Sequence, residues 1–319
     1  MAGASSLEPF LERMFVSLTE RRLRTGWRLL LQGGMAFFLA TCCSVPVLLL
    51  PGALASGPIS MQVMLASSVA GAIGITGATL IARRFFDLRT FRSLGFNTDG
   101  HTLPDLLIGF LIPAVQMALV YSIEVALGWT RWQGWAWESA QASVVAGGLL
   151  LSLAVFILVG YQEELLSRGY QLQNLIDGSA LRWALFLSSV IFAALHVFNP
   201  GAGPTAIVGL IFAGYFLAFG WLRTGRLWLS IGLHIGWNFF EGTVFGFQVS
   251  GLDLFTLMRH SVTGPAWATG GPFGPEAGAV IVPSYALGIL LIMAYTRRRQ
   301  RPPALSKTPS PIPQPETAS

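Results

Sequence analysis

The chain has 319 residues, of which 53% are hydrophobic and only 11% charged. Soluble domains carry about 25% charged residues, so this composition excludes a disordered protein and argues against an ordinary cytosolic enzyme. The formal net charge is +5, and where the basic residues fall decides what that charge means.

Residues 1–26 form a polar, basic arm, read as cytoplasmic. A helix needs about 20 apolar residues to cross a hydrocarbon core of about 30 Å. Eight segments meet that need, near 27–50, 59–82, 104–128, 146–176, 182–199, 203–222, 227–249 and 278–296. Breakers such as Pro51-Gly52, Asn199-Pro200-Gly201 and Thr224-Gly225 separate them. The stretch Leu39-Ala40-Thr41-Cys42 loosely resembles a lipoprotein cleavage site, but Val45 to Leu50 extends the run to spanning length, and an uncleaved first helix is expected. Cys42 and Cys43, the only two cysteines, are adjacent and give neither a disulfide framework nor a zinc-finger spacing. The Pro/Ser/Thr-rich tail, 299–319, reads as disordered.

With the N-terminus inside, nearly all Lys and Arg fall in the inner segments, and the outer loops hold only Arg131 and Arg259. Arg168 lies within a span. The sequence thus predicts an all-α, polytopic membrane bundle of about eight transmembrane helices, 27–298, with both termini cytoplasmic. The basic balance reports topology and contact with anionic lipid, and no nucleic-acid partner is expected. One Lys against nineteen Arg points to a GC-rich bacterial source, and hence to the cytoplasmic (inner) membrane.

A charge at the centre of a spanning helix costs about 2.5–3.5 kcal/mol, so each one needs a reason. Three groups stand out: Glu163, Glu164 and Arg168; His196; and His234 with Asn238. Glu164 and Arg168, at i and i+4, share a face and can pair, whereas Glu163 points about 100° away and serves a different purpose. By helical rise, Glu163 and His196 lie about 20 Å from their inner turns, and His234 and Asn238 about 12 and 18 Å. A carboxylate and two imidazoles at one depth supply a general base and acid for activating water, with Asn and a second His as donors to an oxyanion. Two His and one Glu (Glu163, His196, His234) are equally the ligand set of a catalytic zinc. No cofactor is assigned on this basis; zinc or another divalent metal is the open alternative. No His-Glu-x-x-His is present, which excludes a conventional zincin.

Each residue also has a plain structural reading. Glu164–Arg168 can be a neutralising ion pair, a lone His or Asn interhelical glue, and Glu124 and Glu241 interfacial or loop-capping groups. Phe192 reads as core packing, His101 and His260 as loop residues without a role, and the Trp-rich outer loop as interfacial anchoring.

In order along the chain, Glu163-Glu164-x-x-x-Arg168, Phe192-x-x-x-His196 and His234-x-x-x-Asn238 resemble the three motifs of the CPBP intramembrane proteases. That family includes the Ras-converting CAAX prenyl endopeptidases and the bacterial proteins called Abi. The resemblance covers about 140–245, and every motif position is filled. It implies an endopeptidase whose site opens inside the bilayer, with Glu163 and His196 activating water, His234 and Asn238 stabilising the oxyanion, and Glu164 and Arg168 holding the site together. The family carries both a metalloprotease and a metal-independent glutamate reading. The implied substrate is a membrane-anchored protein or peptide. A non-enzymatic scaffold or immunity protein on the same fold is the competing expectation, and an ion-coupled transporter ranks behind it.

Overall fold

Long apolar runs dictate the architecture of the computed structural model, which describes residues 14–17, 22–51, 53, 60–252 and 254–299. The first helices are α1 (Thr25–Ser44, prolonged by a 3-10 turn Val45–Leu49), α2 (Met61–Phe85) and α3 (Thr102–Ala126). Then come α4 (Ala142–Glu164), a π-helical segment Leu165–Gln171, and α5 (Leu172–Gly178), which form one continuous rod. The helices α6 (Leu181–Ala194), α7 (Pro204–Thr224), α8 (Trp228–Asn238, followed by π-helical Phe239–Val244), the short α9 (Ala266–Thr269) and α10 (Ile281–Thr296) complete the bundle. The Ser60 hydroxyl caps α2 by accepting from Val63 N, Pro204 opens α7, and Gly225 closes it at φ +67°.

Among the described residues, five helical segments are long and apolar enough to cross a membrane: Thr25–Leu49, Met61–Phe85, Thr102–Ala126, Ala142–Gly178 and Pro204–Thr224. This is an integral membrane protein. The expectation of about eight spans meets shorter elements in the second half. α6 stops at Ala194, because the backbone turns over 195–200 into Pro200, and α10 starts only at Ile281. Ahead of α10, the glycine-rich stretch Gly271–Gly278 folds as two short 3-10 turns instead of a helix. The fold is all-helical apart from two small antiparallel pairs: β1 (Val16–Ser17) with β2 (Arg22–Leu23), and β3 (Thr130–Trp135) with β4 (Met258–Val262). His260 therefore sits on a strand, not in a loop. Residues 300–319 of the tail and most of the 1–26 arm lie outside the described residues.

Glycines place the helix that carries His234. A Cβ at Gly232 would strike the Leu106 carbonyl, and one at Gly236 the Phe110 carbonyl, so α8 lies backbone to backbone against α3. The larger buried apolar cluster joins α3, α6, α7, α8 and α10, and a second joins α4, α5, α7 and α8. Both α7 and α8 contribute to the two clusters and so tie them together.

Candidate active site

The rod formed by α4 and α5 runs straight past its own charges. Glu163 and Glu164 close the α-helical part, and the wider π turn that follows holds Arg168. π turns recur at functional sites, because the extra residue in the turn re-aims the side chains around it. Arg168 Nη1 donates to Glu164 Oε1 at 2.6 Å, and its Nη2 donates to the Gly214 carbonyl of α7 at 3.1 Å. The guanidinium lies 4.4 Å above the Phe192 ring. The same Glu164 oxygen accepts from His234 Nδ1 at 2.8 Å. Glu164, Arg168 and His234 thus form one buried chain, with the first two sealed from solvent.

Glu163 is treated differently. Its side chain is 24% exposed, and its Oε2 lies 3.7 Å from both His196 Nε2 and His234 Nε2. His196 Nδ1 lies 2.9 Å from the Phe192 carbonyl. A carbonyl can only accept, so that nitrogen carries the proton and Nε2 of the neutral ring keeps its lone pair. Both imidazoles therefore turn Nε2 toward Glu163 and anchor Nδ1 behind them. Asn238 lies one helical turn from His234, 7% exposed, and no other described side chain holds its amide.

These groups meet in a cavity of about 470 Å³. Glu163, His196, His234 and Asn238 are among its polar lining residues, and Gly33, Ala36, Phe37 and Ala40 of α1 also line it. Of the six residues picked out in the sequence, four line this space, and Glu164 and Arg168 stand behind them. Three further residues belong to the site: Phe192, a position of the second motif, and Glu276 and Ser250, which no motif had flagged. Phe192, expected as packing, supports the Arg168 cation and lies against both imidazole rings. Glu276 and Ser250 border the cavity from beyond α8. A lone Glu in a Gly/Pro-rich loop and a lone Ser carry no spacing signal, so the sequence could not have flagged them.

Two residues read as interfacial are buried instead. Glu124 does cap its loop, accepting from Thr130 Oγ1 at 2.6 Å, but from a position closed to solvent. Glu241 is fully buried, within electrostatic reach of Glu276.

The proposed metal set, Glu163, His196 and His234, does not fit. Among the described residues no three His, Cys, Asp or Glu side chains group as a metal ion would require. A metalloprotease assignment finds no support in this donor set, and no step is derived through a metal.

A carboxylate and two oriented imidazoles sharing one cavity are parts from which a water-activating site can be built. Residues 145–240 match the family model described as type II CAAX prenyl endopeptidase Rce1-like. All seven motif residues fall inside that segment, and the match supports assignment of the chain to the CPBP/CAAX protease family. The matched segment is thus similar to a CAAX-protease-like intramembrane endopeptidase. No curated protein and no solved structure matches the chain.

Proposed function

We propose that the protein hydrolyses a peptide bond in a membrane-associated protein or peptide, using water activated by Glu163 and His196. The observation that carries this reading is the Glu163 carboxylate, open to the cavity and flanked by two imidazole Nε2 atoms at 3.7 Å each. In the reaction Glu163 takes a proton from water, whose oxygen attacks the scissile carbonyl, and the carboxyl later returns that proton to the departing amine. The lone pair on His196 Nε2 orients the water. Asn238 Nδ2 and His234 Nε2 face the oxyanion of the tetrahedral intermediate. Donation from His234 Nε2 needs the doubly protonated ring, and Glu164 at Nδ1 supplies its countercharge. Arg168 holds Glu164 in place and touches no reacting atom.

The setting we propose is a bacterial cytoplasmic membrane, with both termini inside, a 27–298 transmembrane domain and its protease-like core at about 140–245. The family match favours this enzymatic reading over a scaffold or immunity protein. The test compares the membrane proteome of native cells with that of a Glu163→Gln strain at matched protein abundance. A protein terminus lost only in the variant establishes proteolysis and identifies a substrate. An unchanged set of termini with the phenotype intact overturns the reading.

A further inference from the structure

His196 lacks the support that the other motif residues enjoy. Glu163, Glu164, Arg168, His234 and Asn238 sit on continuous helix, but α6 ends at Ala194 and His196 lies in the turn beyond it. Its own bonds, His196 N to Ala193 O and Nδ1 to Phe192 O, return to α6 and tie the turn to no other helix. Whatever fixes His196 opposite Glu163 must therefore come from elsewhere.

The contacts lead to Glu276. This residue is 4% exposed, lies outside the segment that matches the family and borders the cavity together with His196, His234 and Asn238. Its Oε1 accepts from Trp237 Nε1 at 3.1 Å; Oε2 accepts from Ser250 N at 3.0 Å and Ser250 Oγ at 2.6 Å. Trp237 is the residue before Asn238 and three after His234, and it is pinned further by stacking on Tyr285. Ser250 in turn reaches the His196 turn: its carbonyl accepts from Asn199 Nδ2 at 3.0 Å, and Asn199 N donates to His196 O at 3.0 Å. One carboxylate thus links the His196 turn to the helix bearing His234 and Asn238.

The backbone around this link is held under constraint. Ser250 has φ +48°, a left-handed conformation that side-chain-bearing residues rarely adopt. It persists because its N–H and hydroxyl both point at Glu276. Next to it, a Cβ on Gly251 would strike the Pro200 carbonyl, and Gly251 N donates to Phe273 O at 2.8 Å. The turn at 249–252 is therefore wedged between the His196 turn and the Glu276 segment. Burial raises the Glu276 carboxyl above its ordinary range, against the pull of its Ser250 bonds and of charge on His196 and His234.

We propose that Glu276 is a positioning residue for the catalytic site, clamping the His196 turn to α8 through Ser250 and Trp237. The proposal rests on the protease reading above for its consequence, though not for its geometry. A carboxylate is required because all three partners are donors. The amide of Gln has nearly the same shape but turns an NH2 group toward one of the two sets of donors, so one link must break.

The test uses the full chain in liposomes with two readouts. The first is the distance distribution between spin labels on Phe198→Cys, at the exposed tip of the His196 turn, and Leu111→Cys on α3, with Cys42 and Cys43 replaced by Ser. The second is cleavage of a farnesylated fluorogenic CAAX peptide. Glu276→Gln is expected to shift or broaden the 198–111 distribution and to lower kcat by about 10²-fold with KM nearly unchanged, the size of effect that misplacement of a reacting group by about 1 Å produces. Ser250→Ala, which removes one of three bonds, should move both readouts in the same direction by less, and it carries the test if the Gln variant does not accumulate. Glu124→Gln, which also alters a buried carboxyl but far along the chain from this clamp, should leave both unchanged. An unaltered distribution in Glu276→Gln and Ser250→Ala overturns the proposal, as does an equal change in Glu124→Gln. If the wild-type chain leaves the peptide intact, the distance readout alone decides on the clamp, and the protease reading is judged separately by the proteome comparison.

Discussion

Two clusters of buried charge lie along the same helical rod, and they are built on opposite plans. In the first, Asp87 follows α2 with its side chain sealed, and four donors saturate it. Oδ1 accepts from Arg28 Nη1 at 3.4 Å and Tyr170 OH at 3.2 Å; Oδ2 accepts from Arg83 Nη1 at 2.7 Å and Asn174 Nδ2 at 3.3 Å. These partners come from α1, α2, the π turn and α5, so one carboxylate ties four parts of the chain. In the second, Glu163 is left facing a cavity with two imidazoles just outside bonding distance. A saturated buried carboxylate has no lone pair to offer a substrate. A carboxylate held open, in surroundings that make openness costly, is the one placed for chemistry.

The comparison predicts which loss each cluster suffers. The largest effect is expected at Glu163: Glu163→Gln should lower peptide cleavage by about 10²–10⁴-fold, while the thermal midpoint in detergent stays close to wild type. A variant that loses its fold along with its activity would place Glu163 in the same category as Asp87 and break the distinction. Asn238→Ala should follow, with about 10²–10³-fold lost in kcat if its amide faces the oxyanion. A loss confined to KM would instead make it a ground-state contact.

Arg83→Ala tests the other cluster. Removing one partner from a buried ion pair leaves an uncompensated charge and costs about 3–5 kcal/mol. The protein should accumulate poorly and melt early, and whatever fraction folds should cleave at the wild-type rate. Arg168→Ala sharpens the contrast because it joins both plans: it should destabilise by a comparable amount and also slow cleavage, through the freed Glu164 and His234. Normal activity in the folded fraction of Arg168→Ala would show that the Glu164 chain serves stability alone.

The sequence made one half of this picture legible and hid the other. Glu163, Glu164, Arg168, His196, His234 and Asn238 stood out because charge and imidazole are costly inside apolar helices, and fixed i, i+4 spacings set their directions. The pairing of Glu164 with Arg168 is a local property of one helix and could be read in the same way. Helix lengths in the second half could not. Whether a run such as 182–199 stays helical to its end depends on a Pro200 turn docking against the 249–252 loop, a contact between residues some 50 positions apart. The same holds for Glu241, Glu276 and Ser250, whose burial follows from how the glycine-rich 270–278 stretch folds back on α7 and α8. No periodicity announces such a return. The strands β3 and β4 escaped notice for a related reason: their 6 and 5 residues pair across 123 to 132 positions of sequence.

His260 supplies the mildest case of buried polarity and a last test of the rule that saturation separates structure from chemistry. Its ring lies between Tyr121 and Phe247, with centroids at 5.7 and 4.8 Å, and its Nδ1 has no hydrogen-bond partner among the described residues. Burial drives its pKa from 6.5 down to about 4. Above pH 6.5 the ring is neutral both folded and unfolded, and it contributes nothing to pH dependence. Between 6.5 and about 4 the unfolded chain binds a proton that the folded chain refuses, so stability falls as the pH drops through that window and levels off below it. The loss amounts to about 1–2 kcal/mol once the ring's partial exposure is allowed for. Thermal melting of the full chain in detergent from pH 7.5 to 4 should show this decline, and His260→Phe, which fills the same aromatic slot without a titrating group, should flatten it. An identical decline in the Phe variant would assign the acid sensitivity to the carboxylates of the two charged clusters instead.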